Sequence, residues 1–254
     1  MTSSLMALTN RSIFAACARA AAIVLACGNL GAGPFTSSKV NFVIELFTSQ
    51  GCSFCPRADQ LLAAMAREPD AVAVSFPVDY WDYIGWRDTL ASPAFTARQR
   101  AYAAAHGEGQ VYTPQVIVNG LAGVAGGDRG EVEQAIKAAQ GLDGALTVPL
   151  RVSETGGHYL VEVAEGGGGP AGVFALRVAR ASTVHIQRGE NAGRVVTYTN
   201  VVRAIDKLGD WTGKTATFEM PGTAPDGEGF VVLVQKGTPE RPGAILAAAK
   251  TEGL

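Results

Sequence analysis

VIELFTSQGCSFCPRAD, residues 43–59, joins an apolar run to a helical pattern through a turn that carries Cys52 and Cys55. The run itself begins at Lys39 and ends at Phe47 (KVNFVIELF), and the polar turn residues Thr48 to Gly51 stop it, so a buried strand is expected there. After Cys55, Pro56 suits the first turn of a helix, where its missing N–H costs nothing. Ala58, Leu61, Leu62 and Met65 then fall on one helical face. Strand, tight turn and helix place Cys52 at a helix N-terminus. An ordinary thiol of pKa about 8.5 is roughly 3% ionised at pH 7. A helix N-terminus contributes about 0.3–1 kcal/mol to an anion, and up to about 2 when buried, which lowers a thiol pKa by roughly one. The dipeptide Ser53-Phe54 adds no cation or imidazole, and Arg57 lies a turn away. A moderately activated thiol is the expectation.

Further along, Ala71–Val78 (AVAVSFPV) is expected as a second strand. Ser92-Pro93 starts a helix through Ala94–His106. Val116–Val118 forms a third strand, Asn119-Gly120 a hairpin turn, and Leu121–Ala125 the return strand. Asp128 caps a last helix, with Val132, Ala135, Ile136 and Ala139 on one face. The order over residues 38–141 is β-α-β-α-β-β-α.

The chain has four cysteines, Cys17, Cys27, Cys52 and Cys55. A staple closing a four-residue loop is worth about 2 kcal/mol, against almost 5 for a loop of a hundred, so a purely structural disulfide explains the C-x-x-C pair poorly. One C-x-x-C is half a structural zinc site, and His106, His158 and His185 are far apart. Redox use is the favoured reading, with zinc or copper binding the alternatives.

The first 44 residues contain no Asp or Glu, and Ala20–Cys27 is apolar after Arg19. Residues 1–33 therefore read as a secretory leader, with a lipid anchor at Cys27 or a mitochondrial-type presequence as alternatives. A periplasmic or secreted location follows, with membrane association only if Cys27 is lipidated. Of the 254 residues 47% are hydrophobic and 17% charged, and 21 basic against 23 acidic residues give a net charge of −2. These figures exclude a disordered chain and leave no electrostatic reason to bind nucleic acid.

The C-x-x-C after the first strand and Thr113-Pro114 before the third resemble the thioredoxin superfamily. The resemblance implies a cis Pro114 against the dithiol and a Thr113 backbone offered to an extended substrate strand. It also implies a buried carboxylate that moves protons at the second cysteine. Glu45, seven residues before Cys52, is the candidate, because a lone carboxylate within VIELF is costly to bury unless paired or protonated. More narrowly, VIELFTSQGCSFCPRAD, VDYWDYIGW, YTPQVIVNG and RGENAGR…YTNVVR resemble the family called domain of unknown function 1223, whose members are secreted or periplasmic. Pro77 stands where the resemblance leads one to expect His in many relatives, so no scheme that needs a histidine there applies.

Residues 79–92 are expected as an aromatic insertion. Asp79, Tyr80 and Trp81 would form a wall that grips a peptide or a small thiol. The alternative is a satellite core whose acids cap turns, with Arg98 or Arg100 pairing Asp79 or Asp82. Past the Gly141–Gly144 linker, seven alternating segments and Gly-rich turns suggest an all-β sandwich-like domain over residues 145–254. The mixed-charge loop Arg188–Arg194 either docks on the first domain, contacts substrate, or is a solvated hairpin tip. His185 beside it is a structural residue or a ligand.

The favoured function is a thiol–disulfide oxidoreductase acting through Cys52, Cys55 and Glu45, with Thr113, Pro114, Asp79, Tyr80 and Trp81 at the substrate. Its partner would be a thiol or disulfide protein, and its only cofactor the redox-active pair. A non-catalytic binding module and a Cu(I)-handling protein are the alternatives.

Overall fold

The computed structural model describes residues 39–220, 222 and 224–254. The expected leader, with Cys17 and Cys27, lies outside the described residues. The first half runs β1 (Phe42–Thr48), α1 (Cys55–Met65), β2 (Ala71–Pro77), α2 (Pro93–His106), β3 (Gln115–Val118), β4 (Ala122–Ala125) and α3 (Arg129–Ala139). This is the order read from the sequence. Pro56 and Pro93 each sit in the first turn of their helices, Ser92 caps α2, and Asp128 caps α3 by accepting from the Glu131 N–H. The second half runs β5 (Leu150–Thr155), β6 (His158–Val163), β7 (Ala171–His185), β8 (Val195–Trp211), β9 (Ala216–Met220), β10 (Glu228–Thr238) and β11 (Arg241–Lys250).

Seven strands stand where the sequence placed them, but they do not build a separate sandwich. Four of them extend the sheet of the first half, giving a mixed eight-stranded sheet in the order β11-β10-β7-β8-β2-β1-β3-β4. The halves join where β8 runs parallel to β2, at Ser75 opposite Val201. Beside that bridge Asn200 adopts a left-handed backbone (φ 48°), and its side chain donates to the Ala73 carbonyl at 3.0 Å. Sandwich packing survives locally. The three-stranded sheet β5-β6-β9 covers one end of the large sheet, burying Val161, Val163, Val173, Trp211, Val234 and Leu246 between the layers. One of the Gly-rich stretches read as turns, GDWTGK at residues 209–214, is strand in its first half, because β8 continues through Gly209 to Trp211. Gly209 suits this strand because a side chain there would meet the Phe218 ring at 2.7 Å.

The alternation of β1 divides the core. Val43 and Phe47 face the layer that holds Phe95 and Tyr102 of α2. Phe42, Ile44 and Leu46 face α1 and α3, packing on Ala58, Leu62, Val132 and Ile136. Glu45 shares the parity of Val43 and Phe47, so it points at α2 and away from α1. No helix among the described residues is long and apolar enough to cross a membrane.

Candidate functional site

Cys52 and Cys55 are free thiols at the start of α1, and both are buried. The turn is backbone-locked. The Cys52 N–H donates to Ser49 O, and the Cys55 N–H to Cys52 O, each at 3.2 Å. Thr113-Pro114 is a cis peptide beside this turn, and the Cys52 thiol lies 3.7 Å from the Thr113 carbonyl, which can accept its proton.

The two thiols are driven apart in acidity. A hydrogen bond from the Cys55 thiol is the largest influence on Cys52. With help from the Thr113 side chain and the N–H groups of Phe54 and Cys55 it outweighs burial and lowers the Cys52 pKa to about 7. Cys55 moves strongly upward, chiefly through burial, then through its bond to Cys52, the charge of Cys52 and the charge of Asp59. The helix N-terminus thus holds one thiolate-prone sulfur and one that keeps its proton.

Asp59 is the carboxylate of this site, and the sequence reading missed it. It lies one helical turn from Cys55 (i, i+4), so α1 itself brings the two to one side. It is 8% exposed, accepts from the Thr48 hydroxyl at 2.7 Å through Oδ1, and leaves Oδ2 buried without a hydrogen-bond partner. Burial, followed by the nearby charges of Cys52 and Asp88, raises its pKa to about 7 despite the Thr48 bond. The spacing C-x-x-C-x-x-x-D was the available signal, because an acid on the apolar side of an amphipathic helix needs a reason. The folded carboxyl keeps a proton that the unfolded chain loses from about pH 4 upward, so this group's cost to stability grows between about pH 4 and 7. Asp59→Asn should therefore be more stable than the parent at pH 8, by on the order of 2 kcal/mol, with the difference fading toward pH 4. Urea denaturation at both pH values checks this, and an equal effect at the two would contradict it.

Glu45 lies in a different network. Its carboxylate receives Arg98 Nη2 at 2.7 Å and Arg98 Nε at 2.9 Å, together with the Tyr102 hydroxyl. Gln235 of β10 closes the network, accepting from Arg98 at 2.9 Å and donating to the Tyr102 oxygen at 2.7 Å. The expected role of Glu45 at Cys55 gives way to a structural one, because strand parity turns it toward α2. Arg98 is thereby committed to Glu45 rather than to Asp79 or Asp82.

The insertion packs against the dithiol turn largely through its polar atoms. Asp88 Oδ2 accepts the Gln50 N–H at 2.7 Å, and Oδ1 accepts the N–H groups of Leu90 and Ala91. Asp82 accepts the Asp88 N–H, and Asp79 accepts the Thr96 hydroxyl. Asp82 and Asp88 therefore hold turns of the insertion, whereas Asp79 ties it to α2. Trp86 donates to the Gln50 side chain at 2.8 Å, and Trp81 donates to Thr113 Oγ1 at 2.8 Å. Trp81 stacks on Tyr83, and a side chain at Gly51 would meet Trp81 Cβ and Ile84 at 3.0 Å, so the turn needs glycine there. Tyr80 is half-buried, and burial pushes its pKa up to about 12, with the charges of Cys55 and Cys52 adding to the shift. Of the expected substrate residues, Thr113, Pro114, Tyr80 and Trp81 do gather at the dithiol. Asp79 is engaged with α2. Phe54, Tyr83 and Tyr112 are exposed aromatics on the cysteine turn, on the insertion and beside Thr113.

The Arg188–Arg194 loop docks on this site. Asn191 donates to the carbonyls of Gln50 and Cys52, and Glu190 accepts the Ser53 N–H. His185 stays exposed at the end of β7. Among the described residues no cluster of three or more His, Cys, Asp or Glu could hold a metal ion. The two thiols alone fall short of a four-ligand zinc set.

A family model described as a protein of unknown function (DUF1223) matches residues 43–235. The crystal structure of protein AGR_C_4864 from Agrobacterium tumefaciens is similar at 34% sequence identity and a TM-score of 0.76, covering 85% of this chain and 95% of that one. No curated protein matches the chain.

Proposed function

The chain belongs to the DUF1223 family of proteins of unknown function, and we propose that this member is a thiol–disulfide oxidoreductase on a thioredoxin-like frame. Its partner is a protein thiol or disulfide, and its place is an exported, oxidising compartment. The observation that carries the reading is the split acidity of the pair, with Cys52 near 7 and Cys55 held protonated beside Asp59. A structural thiol pair has no need of that asymmetry, whereas exchange uses both halves of it. The β-α-β-α-β-β-α order and the position of Thr113-Pro114 against Cys52 support the thioredoxin-like part of the reading.

In the reducing direction the Cys52 thiolate attacks one sulfur of the partner's disulfide. A Cys52–partner bond forms, and the second partner sulfur leaves as a thiolate. Cys55 then gives its proton to the ionised Asp59 and attacks Cys52 Sγ. The Cys52–Cys55 bond forms, and the first partner sulfur leaves with both electrons of the broken bond. The partner gains two electrons and the pair loses two. The oxidising direction is the reverse. The exposed rings of Phe54, Tyr83 and Tyr112 favour a peptide over a small polar thiol.

The test is capture of the intermediate. Cys55→Ser incubated with a peptide disulfide should accumulate a mixed disulfide at Cys52, seen as the peptide's mass on the intact chain and released by dithiothreitol. No adduct at Cys52 after hours at pH 7.5 would defeat the proposal.

A further inference from the structure

The β7–β8 hairpin is longer than the sheet requires. β10 accompanies β7 only as far as Ala179, and Ala181–His185 pairs with Val195–Thr199 of β8 alone. This two-stranded arm carries residues 186–194 to the cysteine turn. The tip is braced from within, because Gly193 N–H donates to Ile186 O at 2.8 Å and Arg194 N–H to Asn191 O at 3.2 Å. It is therefore a shaped turn rather than a draped loop.

What the tip holds is specific. Asn191 is 2% exposed, and its Nδ2 donates to Gln50 O at 2.9 Å and to Cys52 O at 2.8 Å. Glu190 Oε2 accepts the Ser53 N–H at 3.2 Å. Cys52 C=O and Ser53 N–H are the two ends of one peptide group, so the tip grips that plane at both ends. The Oδ1 end of the Asn191 amide is buried without a partner, which identifies the donor end as the one the fold keeps. The same turn aims the N–H groups of Phe54 and Cys55 at the Cys52 sulfur.

We propose that Asn191 and Glu190 are positioning residues for the dithiol: Asn191 fixes the turn in the geometry that favours the Cys52 thiolate, and the Glu190 carboxylate opposes that thiolate by its charge. The inference rests on Cys52 being the reactive thiol. The two neighbours then act with opposite sign, which a merely structural contact would not produce. The other titratable groups around Cys52 are Cys55 and Asp59 on α1, Tyr80 and Asp88 in the insertion, and Tyr198 on β8, and neither substitution alters them.

The test is the thiolate absorbance of the reduced full chain near 240 nm, titrated by pH, with a Cys52→Ser partner for each variant to subtract other thiols. Asn191→Ala should lower the thiolate fraction of Cys52 at pH 6 about threefold, because the fixed N–H donors are lost. Glu190→Gln keeps an acceptor for Ser53 and removes the charge, so the fraction should rise about twofold. Equal fractions in all three proteins, or shifts of one sign, overturn the proposal. If Asn191→Ala does not fold, Glu190→Gln decides alone, since Glu190 is exposed: a rise supports the proposal and no change overturns it. Opposite shifts in a protein that forms no mixed disulfide would keep this inference and sink the exchange function. Exchange with an unmoved titration would do the reverse.

Discussion

Cys52→Ser is expected to lower catalysed thiol–disulfide exchange at least about a thousandfold, to the rate set by buffer thiols. Cys55→Ser should behave differently, completing the first step and failing to turn over. The expectation follows from the unequal thiols. A pKa near 7 puts half of Cys52 in the thiolate form at neutral pH. That is about fifteen times the fraction of an ordinary thiol. Lower basicity costs about four- to fivefold in nucleophilicity, leaving a net gain of roughly threefold. The gain is modest, so in the proposed exchange most of the catalytic advantage would come from the second thiol, with its proton acceptor one turn away from it on α1. Exchange of a peptide disulfide, followed by chromatography for each variant, checks both halves. Equal loss in the two variants at the first step would contradict the assigned order.

The largest effect on stability is expected from Arg98→Met. Glu45 is fully buried, and Arg98 supplies two of its hydrogen bonds and its counter-charge. Removing the guanidinium strands a buried carboxylate, which costs about 3–5 kcal/mol. The network also ties α2 to β10 through Gln235, so the loss should be felt in both halves. The double variant Glu45→Gln/Arg98→Met removes the stranded charge and should recover a large part of that loss. Urea unfolding of the three proteins measures it. A double variant no more stable than Arg98→Met would contradict the buried-charge account. Glu45→Gln, where it folds, should leave the first exchange step unchanged, because the carboxylate faces α2 and not the thiols.

Much of the first half was legible because its signals are local. An apolar run, a C-x-x-C turn and Pro56 define β1 and α1 within twenty residues, and the caps at Ser92 and Asp128 mark two further helices. The role expected for Glu45 at Cys55 breaks down on parity. One residue's shift along a strand changes the face, and nothing in VIELF says which face meets α1. Asp59 lies within reach of the i, i+4 rule, but its neighbours Ala58 and Leu62 give the stretch an ordinary core-facing pattern in which one acid does not stand out. The seven later strands were also visible by alternation. Their pairing was not, because alternation states that a strand is half-buried without naming its neighbour. The Gly141–Gly144 linker imitated a boundary between domains, whereas β8 crosses back to β2 at Val201. The contact of Asn191 with Gln50 spans 141 residues and rests on hairpin length, which no local pattern encodes.

The central claim is that Cys52 and Cys55 form a reversible redox couple, and a redox titration tests it most directly. The folded protein would be equilibrated in glutathione buffers, quenched with acid and alkylated, and its dithiol and disulfide forms counted by mass. The account predicts a two-electron transition between them, reached from either side, with a midpoint in the range of about −120 to −270 mV spanned by known exchange proteins. A pair that stays dithiol in the most oxidising buffer, or a disulfide that no buffer reduces, would contradict it.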